Sequence, residues 1–149
     1  MEATKLLKND HDEVRAMFKE YEKTGDRALA KKAKLFEQIR DALTAHAKVE
    51  EEVFYPAVKA ARSEEAKDDV REATEEHKIV KTLLAELDRM KPSDEQYDAK
   101  MKVLIESVEH HAEEEEKEMF KQARKHLSKE RLESLGEEME IRKGALVEA

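Results

Sequence analysis

Residues 46–56 read HAKVEEEVFYP and residues 110–120 read HHAEEEEKEMF; each stretch holds a histidine with a glutamate four positions later, His46 with Glu50 and His111 with Glu115. Residues four apart are neighbours on one face of a helix. That face is also the apolar one. Phe36, Ile39, Leu43, His46, Glu50 and then Val53 or Phe54 form one stripe, and Met101, Leu104, Val108, His111, Glu115 and Met119 form another.

Working outward, the two stretches prove to be copies. A shift of 65 residues lays Ile39 on Leu104, Leu43 on Val108, His46 on His111, Glu50 on Glu115 and Tyr55 on Phe120. A shift of 66 lays the preceding helix on its counterpart, Asp10-His11 on Glu76-His77, Val14 on Val80, Phe18 on Leu84 and Tyr21 on Leu87. The repeat unit is therefore a helix pair carrying His, then His-x-x-x-Glu. Shifting by 64 would put Leu43 on Ser107 and Val49 on Glu113, so the register selects His111 over its neighbour His110, which points about 100° away on the helix.

Helix punctuation divides the rest. Thr24-Gly25-Asp26 ends one periodic run and offers Asp26 as an N-cap, Ser63 starts another helix, and Ser93 with Gln96 forms a capping-box pattern after Pro92. Ser128 opens a last segment. The spacing predicts helices near 3–23, 27–61, 64–90, 94–126 and 129–147, that is, helix pairs 3–61 and 64–126 with a short helix after them, in one domain spanning 1–149. The midpoints of His11/His46, His46/His77 and His77/His111 fall near residues 28–29, 61–62 and 94, each beside a turn. All four histidines thus lie at one level of an up-down-up-down four-helix bundle, an all-α fold.

Composition sets the limits. Charged residues are 44% and hydrophobic ones 39%, the balance of amphipathic helices, and the formal charge of -8 with no basic block argues against a nucleic-acid backbone as partner. No apolar run is long enough to span a bilayer, and the N-terminal stretch lacks the apolar centre of a secretory signal, so a cytoplasmic location is expected. Without cysteine, any metal must sit on nitrogen and oxygen.

Burying a lone carboxylate is costly, so two buried glutamates facing four neutral imidazoles call for cations. His11, His46, Glu50, His77, His111 and Glu115 are accordingly the candidate metal ligands. Nitrogen and carboxylate donors without thiolate suit a first-row metal at six-coordination: iron first, manganese second, with zinc more usually satisfied by four donors at one ion. His126 lies eleven residues beyond Glu115, about 16 Å along the axis, and falls outside the set. Glu51, Glu52 and the remaining acids of 113–116 read as a solvated face, with Glu51, Glu52 or Glu114 in reach as an extra ligand. Tyr21 and Tyr55 lie near the stripe, where core packing is the first expectation and proton or electron donation the second. Pro56 either kinks the second helix or marks its final turns.

His11, His46 with Glu50 in HAKVEEEVFYP, His77 in EEHKIV, and His111 with Glu115 in HHAEEEEKEMF together resemble the hemerythrin-like HHE cation-binding domain, over essentially the whole chain. The resemblance implies the hemerythrin bundle and two iron ions, bridged by oxo or hydroxo and by Glu50 and Glu115, each iron taking two histidines. A small ligand, O2, H2O2 or NO, is expected, and the chain is expected as a monomer or weak homo-oligomer. Oxygen-carrying members add a histidine four residues from the third; here the flanking positions are Ala73 and Lys81. They also place an aspartate five after the last histidine, where this chain has Glu115 at four. Fewer nitrogen donors mean more open coordination, so peroxide removal of a catalase-like kind is expected ahead of reversible oxygen carriage. The alternative is a non-catalytic sensor or scavenger of O2, NO or iron, and a metal serving stability alone comes third.

Overall fold

The structure, a computed structural model, describes the backbone of residues 1–148 and the side chains of residues 1–146. Five helical rods follow one another, with no strand among the described residues: α1 (Ala3–Glu22), α2 (29–59), α3 (Glu64–Asp88), α4 (97–126) and α5 (Lys129–Glu148). The first four form the up-down-up-down bundle, α1 packing on α2 and α3 on α4, with α1 bordering α4 and α2 bordering α3. The fifth helix, 20 residues long, lies across α1 and α2 and buries Leu132, Leu135 and Met139 against them.

Local signals set several of the ends. Ser63 caps α3 by accepting the Ala66 N–H at 3.2 Å, and Ser128 accepts the Arg131 N–H at the start of α5. Two predicted starts move inward. Asp26 is not a cap: the chain makes a turn closed by the Ala28 N–H on the Gly25 carbonyl, and α2 begins at Leu29 without a side-chain cap. Ser93 does not cap α4 either. Asp94 takes over the turn, accepting the Lys91 N–H at 2.9 Å, and the helix begins at Tyr97, whose ring is buried against Phe36.

Both α2 and α4 contain one π-turn, Glu50–Phe54 and Glu115–Met119, in which the Tyr55 and Phe120 N–H groups donate to the Glu50 and Glu115 carbonyls five residues back. Each π-turn opens on a glutamate of the repeat. Pro56 sits just after the first and has no N–H to give, but Lys121 stands at the equivalent place in the second, so proline is not the cause of the wide turn.

The apolar core divides into two parts. One, with Val14, Phe18, Ile39, Leu87, Met101 and Leu104, lies toward the 23–28 and 89–96 loops. The other, with Leu7, Phe54, Val58, Val70 and Phe120, extends under α5. Between them lies a polar layer. Each fully buried aliphatic contributes about 1.5–3 kcal/mol, whereas burying an ion costs several, so stability alone does not account for this layer.

The start of the chain is locked under α5. A methyl group added at Gly136 would come within 2.0 Å of the Met1 carbonyl oxygen, which is backbone and has nowhere to go. Gly136→Ala is expected to lower stability by about 1–3 kcal/mol through overpacking, read as a shifted midpoint in urea unfolding.

Candidate metal centre

The polar layer contains His11 from α1, His46 and Glu50 from α2, His77 from α3, and His111 and Glu115 from α4, all buried, with Glu50 fully so. The structure thus brings together all six residues singled out from the sequence. Their donor atoms fall into two groups, His11, His46, Glu50 and Glu115 in one and Glu50, His77 and His111 in the other. Glu50 belongs to both. Glu115 spans them as well, Oε1 standing 3.1 Å from His11 Nε2 and Oε2 standing 3.3 Å from His111 Nε2. Glu50 Oε1 is 3.1 Å from His46 Nε2 and 3.0 Å from His77 Nε2.

The arrangement repeats about a pseudo-twofold axis. The His11 and His46 rings meet edge-on at 5.0 Å and 63°, the His77 and His111 rings at 4.9 Å and 64°. Behind each ring a carboxylate holds Nδ1: Asp10 to His46 at 2.9 Å, Glu76 to His111 at 2.6 Å, Glu116 to His11 at 2.7 Å and Glu51 to His77 at 2.6 Å. An ionised carboxylate can only accept, so each Nδ1 donates and the free lone pair is left on Nε2, facing the interior. Glu51 and Glu116, expected on the solvated face, are instead half-buried supports that reach from one hairpin to a histidine of the other. Glu116→Gln is expected to weaken metal binding by about tenfold to a hundredfold, and Glu51→Gln by a similar factor given the symmetry; competition with a chelator measures both.

The charge balance is lopsided. Six carboxylates surround four imidazoles, and the cations touching them are Arg15 on Glu116, Lys81 on Glu51 and Lys143 on Asp10. The protein alone can answer this only with protons. Burial opposes charge on His46, yet the charge of Glu50 and the hydrogen bond to Asp10 outweigh it and hold the imidazole up to about 10. His111 is likewise held up to about 12 against burial by Glu115, Glu50 and Glu76. Burial also works against an ionised Glu50, but His46 and the groups around it keep that carboxyl well below its ordinary value.

Metal ions are the other answer, and the donor set fits them. His11 Nε2, His46 Nε2, Glu50 Oε2 and Glu115 Oε1 are buried without a hydrogen-bond partner, a costly arrangement unless a cation lies among them. Donors at adjacent corners of a six-coordinate ion with bonds of about 2.1 Å stand about 3 Å apart, the spacing found between each Nε2 and its carboxylate oxygen.

Tyr55 departs from the symmetry. Its hydroxyl lies 2.6 Å from Glu115 Oε2, 3.2 Å from Glu50 Oε1, 3.1 Å from His77 Nε2 and 3.4 Å from His111 Nε2, inside the second group. Its counterpart, Phe120, stacks flat on His11 with centroids 6.0 Å apart. Core packing was the first expectation for Tyr55, and the π-turn explains the difference. At 100° per residue Tyr55 would lie about 140° round from Glu50, whereas the wide turn brings both to one side.

Other candidates fall outside the layer. Tyr21 donates to Asp98 at 2.6 Å, beside buried Lys32 and near the loop end of the bundle. His126 is exposed, and Glu52 pairs with Arg142. His110 is 65% exposed and sits 3.3 Å from Glu114, forming with Glu76 a third, peripheral group.

Fold and layer together define a helical-bundle protein with a buried histidine–carboxylate metal site. The hemerythrin HHE cation-binding domain matches residues 2–123, and the chain belongs to that family. A hemerythrin HHE cation-binding domain-containing protein of Mycobacterium kansasii has a solved structure that superposes with a TM-score of 0.85 at 25% identity, covering 98% of this chain and 87% of that one. Among curated proteins, a DNA nickase of Nostoc sp. is 32% identical over 141 residues, 95% of this chain but 39% of the relative. The chain therefore spans about two fifths of that relative's length. No helix among the described residues is long and apolar enough to cross a membrane.

Proposed function

We propose that this chain is a non-haem di-iron protein that removes hydrogen peroxide. His11 and His46 hold one ion, His77 and His111 the other, and Glu50 and Glu115 are shared between them. The observation that carries the reading is the pair of donor groups joined by Glu50, with unpartnered nitrogen and oxygen atoms converging in a buried layer. Iron, when bound, supplies reversible one-electron change at open coordination positions. Two nitrogens per ion leave such positions free, which favours reaction with an oxidant over simple storage.

The chain's own groups have definable tasks. The four Nδ1 contacts fix each imidazole in the tautomer that presents Nε2 inward. Burial, together with the Glu115 and Glu50 carboxylates, pushes the Tyr55 hydroxyl well above its ordinary value and keeps it a neutral hydrogen-bond donor to Glu115 Oε2; cations held in the layer would draw it down again, and its position among the donors then suits it to give a proton there. Arg15, Lys81 and Lys143 offset the outer carboxylates.

Substrates are small, H2O2 first, with O2 and NO as competing ligands. DNA is not among the proposed partners, despite the Nostoc relative's description: a formal charge of -8 repels a phosphate backbone. The test is to load the protein with ferrous iron without oxygen, count iron per chain, and then admit oxygen and peroxide in turn. Two irons and peroxide consumed over many equivalents support the proposal. A single stoichiometric reaction would make the protein a binder or scavenger, and failure to take up two irons with the helices intact would remove the centre.

A further inference from the structure

A cavity of about 410 Å³ lies against the centre, walled on one side by His11, His46, His77 and His111 but not by Glu50, Glu115 or Tyr55. Its inner walls come from all four bundle helices at the next turns toward the 23–28 and 89–96 loops, Val14, Phe18, Leu43, Val80, Leu84 and Val108, and its mouth opens to solvent past exposed Thr44, Lys48 and Lys81. The inner side chains are apolar, and all but Val80 are buried. Short residues leave the room. Ala47 and Ala112, equivalent in the repeat, sit beside their histidines, and valines fill three of the four places a turn away, so the layer cannot close over the rings.

Protein interiors pack at the density of organic crystals and leave few voids larger than water. A water takes up about 30 Å³ and a dry cavity of about 150 Å³ accepts benzene. Sites for small organic ligands begin near 300 Å³. The chamber is thus several times larger than peroxide, O2 or NO requires, and its walls give peroxide little to hydrogen-bond. Of the polar groups at its edge, Arg15 is engaged by Glu109 at 2.8 Å, Lys81 by Glu51 at 2.8 Å and Asp10 by Lys143, while Thr44 and Lys48 are exposed at its mouth. The inner walls, apolar and buried, call for no charged headgroup.

We propose that this chamber binds an uncharged, apolar organic molecule about the size of a fused two-ring aromatic, seated on the histidine face of the metal centre. This goes beyond peroxide removal and rests on the metal proposal only for what lies beneath the ligand. The chamber then brings such a molecule, as substrate or as gating ligand, to the side of the centre away from Tyr55.

Naphthalene serves as the probe. Titrated into metal-free and zinc-loaded protein and followed by its fluorescence, it is expected to saturate at one per chain in both. Leu84→Trp and Val108→Phe, which fill the chamber from different helices, are each expected to weaken binding at least tenfold while keeping helix content and bound metal. If one variant does not fold, the other decides. Manganese-loaded protein is expected to broaden the naphthalene proton resonances through proximity to the ion. Absence of saturable binding, or equal affinity in a folded filled variant, would overturn the chamber; binding without broadening in protein shown to hold manganese would overturn its placement on the centre. Protein that takes up no metal would refute the metal centre instead, while the metal-free titration still decides on the chamber.

Discussion

Replacing Glu50 with alanine is expected to leave a folded bundle that no longer responds to metal. Glu50 is fully buried, and its Oε1 alone stands within 3.1 Å of His46 Nε2 and within 3.0 Å of His77 Nε2, one histidine from each donor group. Alanine removes a donor from both groups at once and leaves a space beside Tyr55. Loss of an outer carboxylate costs about tenfold to a hundredfold in affinity, so loss of a shared inner one is expected to cost more than about a hundredfold. The wild-type chain is expected to gain about 2.7 kcal/mol with metal at a hundred times its dissociation constant, which for a domain of this size raises the melting temperature by about 5–11 °C. The variant is expected to melt at the same temperature with and without metal and to hold less than one ion per chain. A metal-dependent rise equal to that of the wild type would show that Glu50 is not a ligand.

Much of this site could be read before the fold was seen, and the particular residues show why. A histidine and a glutamate at helical spacing inside an apolar stripe carry a cost that only a partner relieves, so His46 with Glu50 and His111 with Glu115 declared themselves twice over through the repeat. His11 and His77 followed from depth, because antiparallel hairpins place equal distances from a turn at equal levels. The supporting acids were harder to see. Glu51 and Glu116 stand in acidic runs on half-exposed faces, where charge normally means solvent. The signal lay in the repeat, which superposes Asp10 on Glu76 and Glu51 on Glu116 at the same shifts that align the histidines. Two acid pairs kept in step with two histidine pairs mark a shell of supports, not a solvated surface.

Lys143 had no comparable signal. It reaches Asp10 across 133 positions of chain, through the docking of α5 on α1 and α2, and such packing is not encoded in any local spacing. Its effect is to make the halves unequal. Asp10 behind His46 is met by a lysine, while Glu76 behind His111 faces exposed His110 and Glu114. The His111 side therefore lies in the more negative surroundings, and that is also the side on which Tyr55 stands.

Tyr55→Phe is the substitution that would make the inner layer symmetric, since the repeat already has phenylalanine at position 120. It deletes one oxygen and fits the same volume, so the chain is expected to fold and, with all six histidine and glutamate donors in place, to bind two ions. What goes is the hydroxyl at 2.6 Å from Glu115 Oε2 and 3.1 Å from His77 Nε2, together with the only uncharged proton donor among the described residues that touches both shared carboxylates. A positioned general acid contributes about 10²–10⁴-fold to rate, so peroxide turnover per bound iron pair is expected to fall at least a hundredfold. Peroxide affinity is expected to change much less, because the substitution alters none of the six histidine and glutamate donors. Phe120→Tyr added to Tyr55→Phe gives the complementary measurement. It moves the hydroxyl to the His11 side and, if proton donation within the layer is what matters, restores part of the lost turnover. Unchanged turnover in Tyr55→Phe with two irons bound would assign Tyr55 to packing and leave the proton to come from solvent through the chamber.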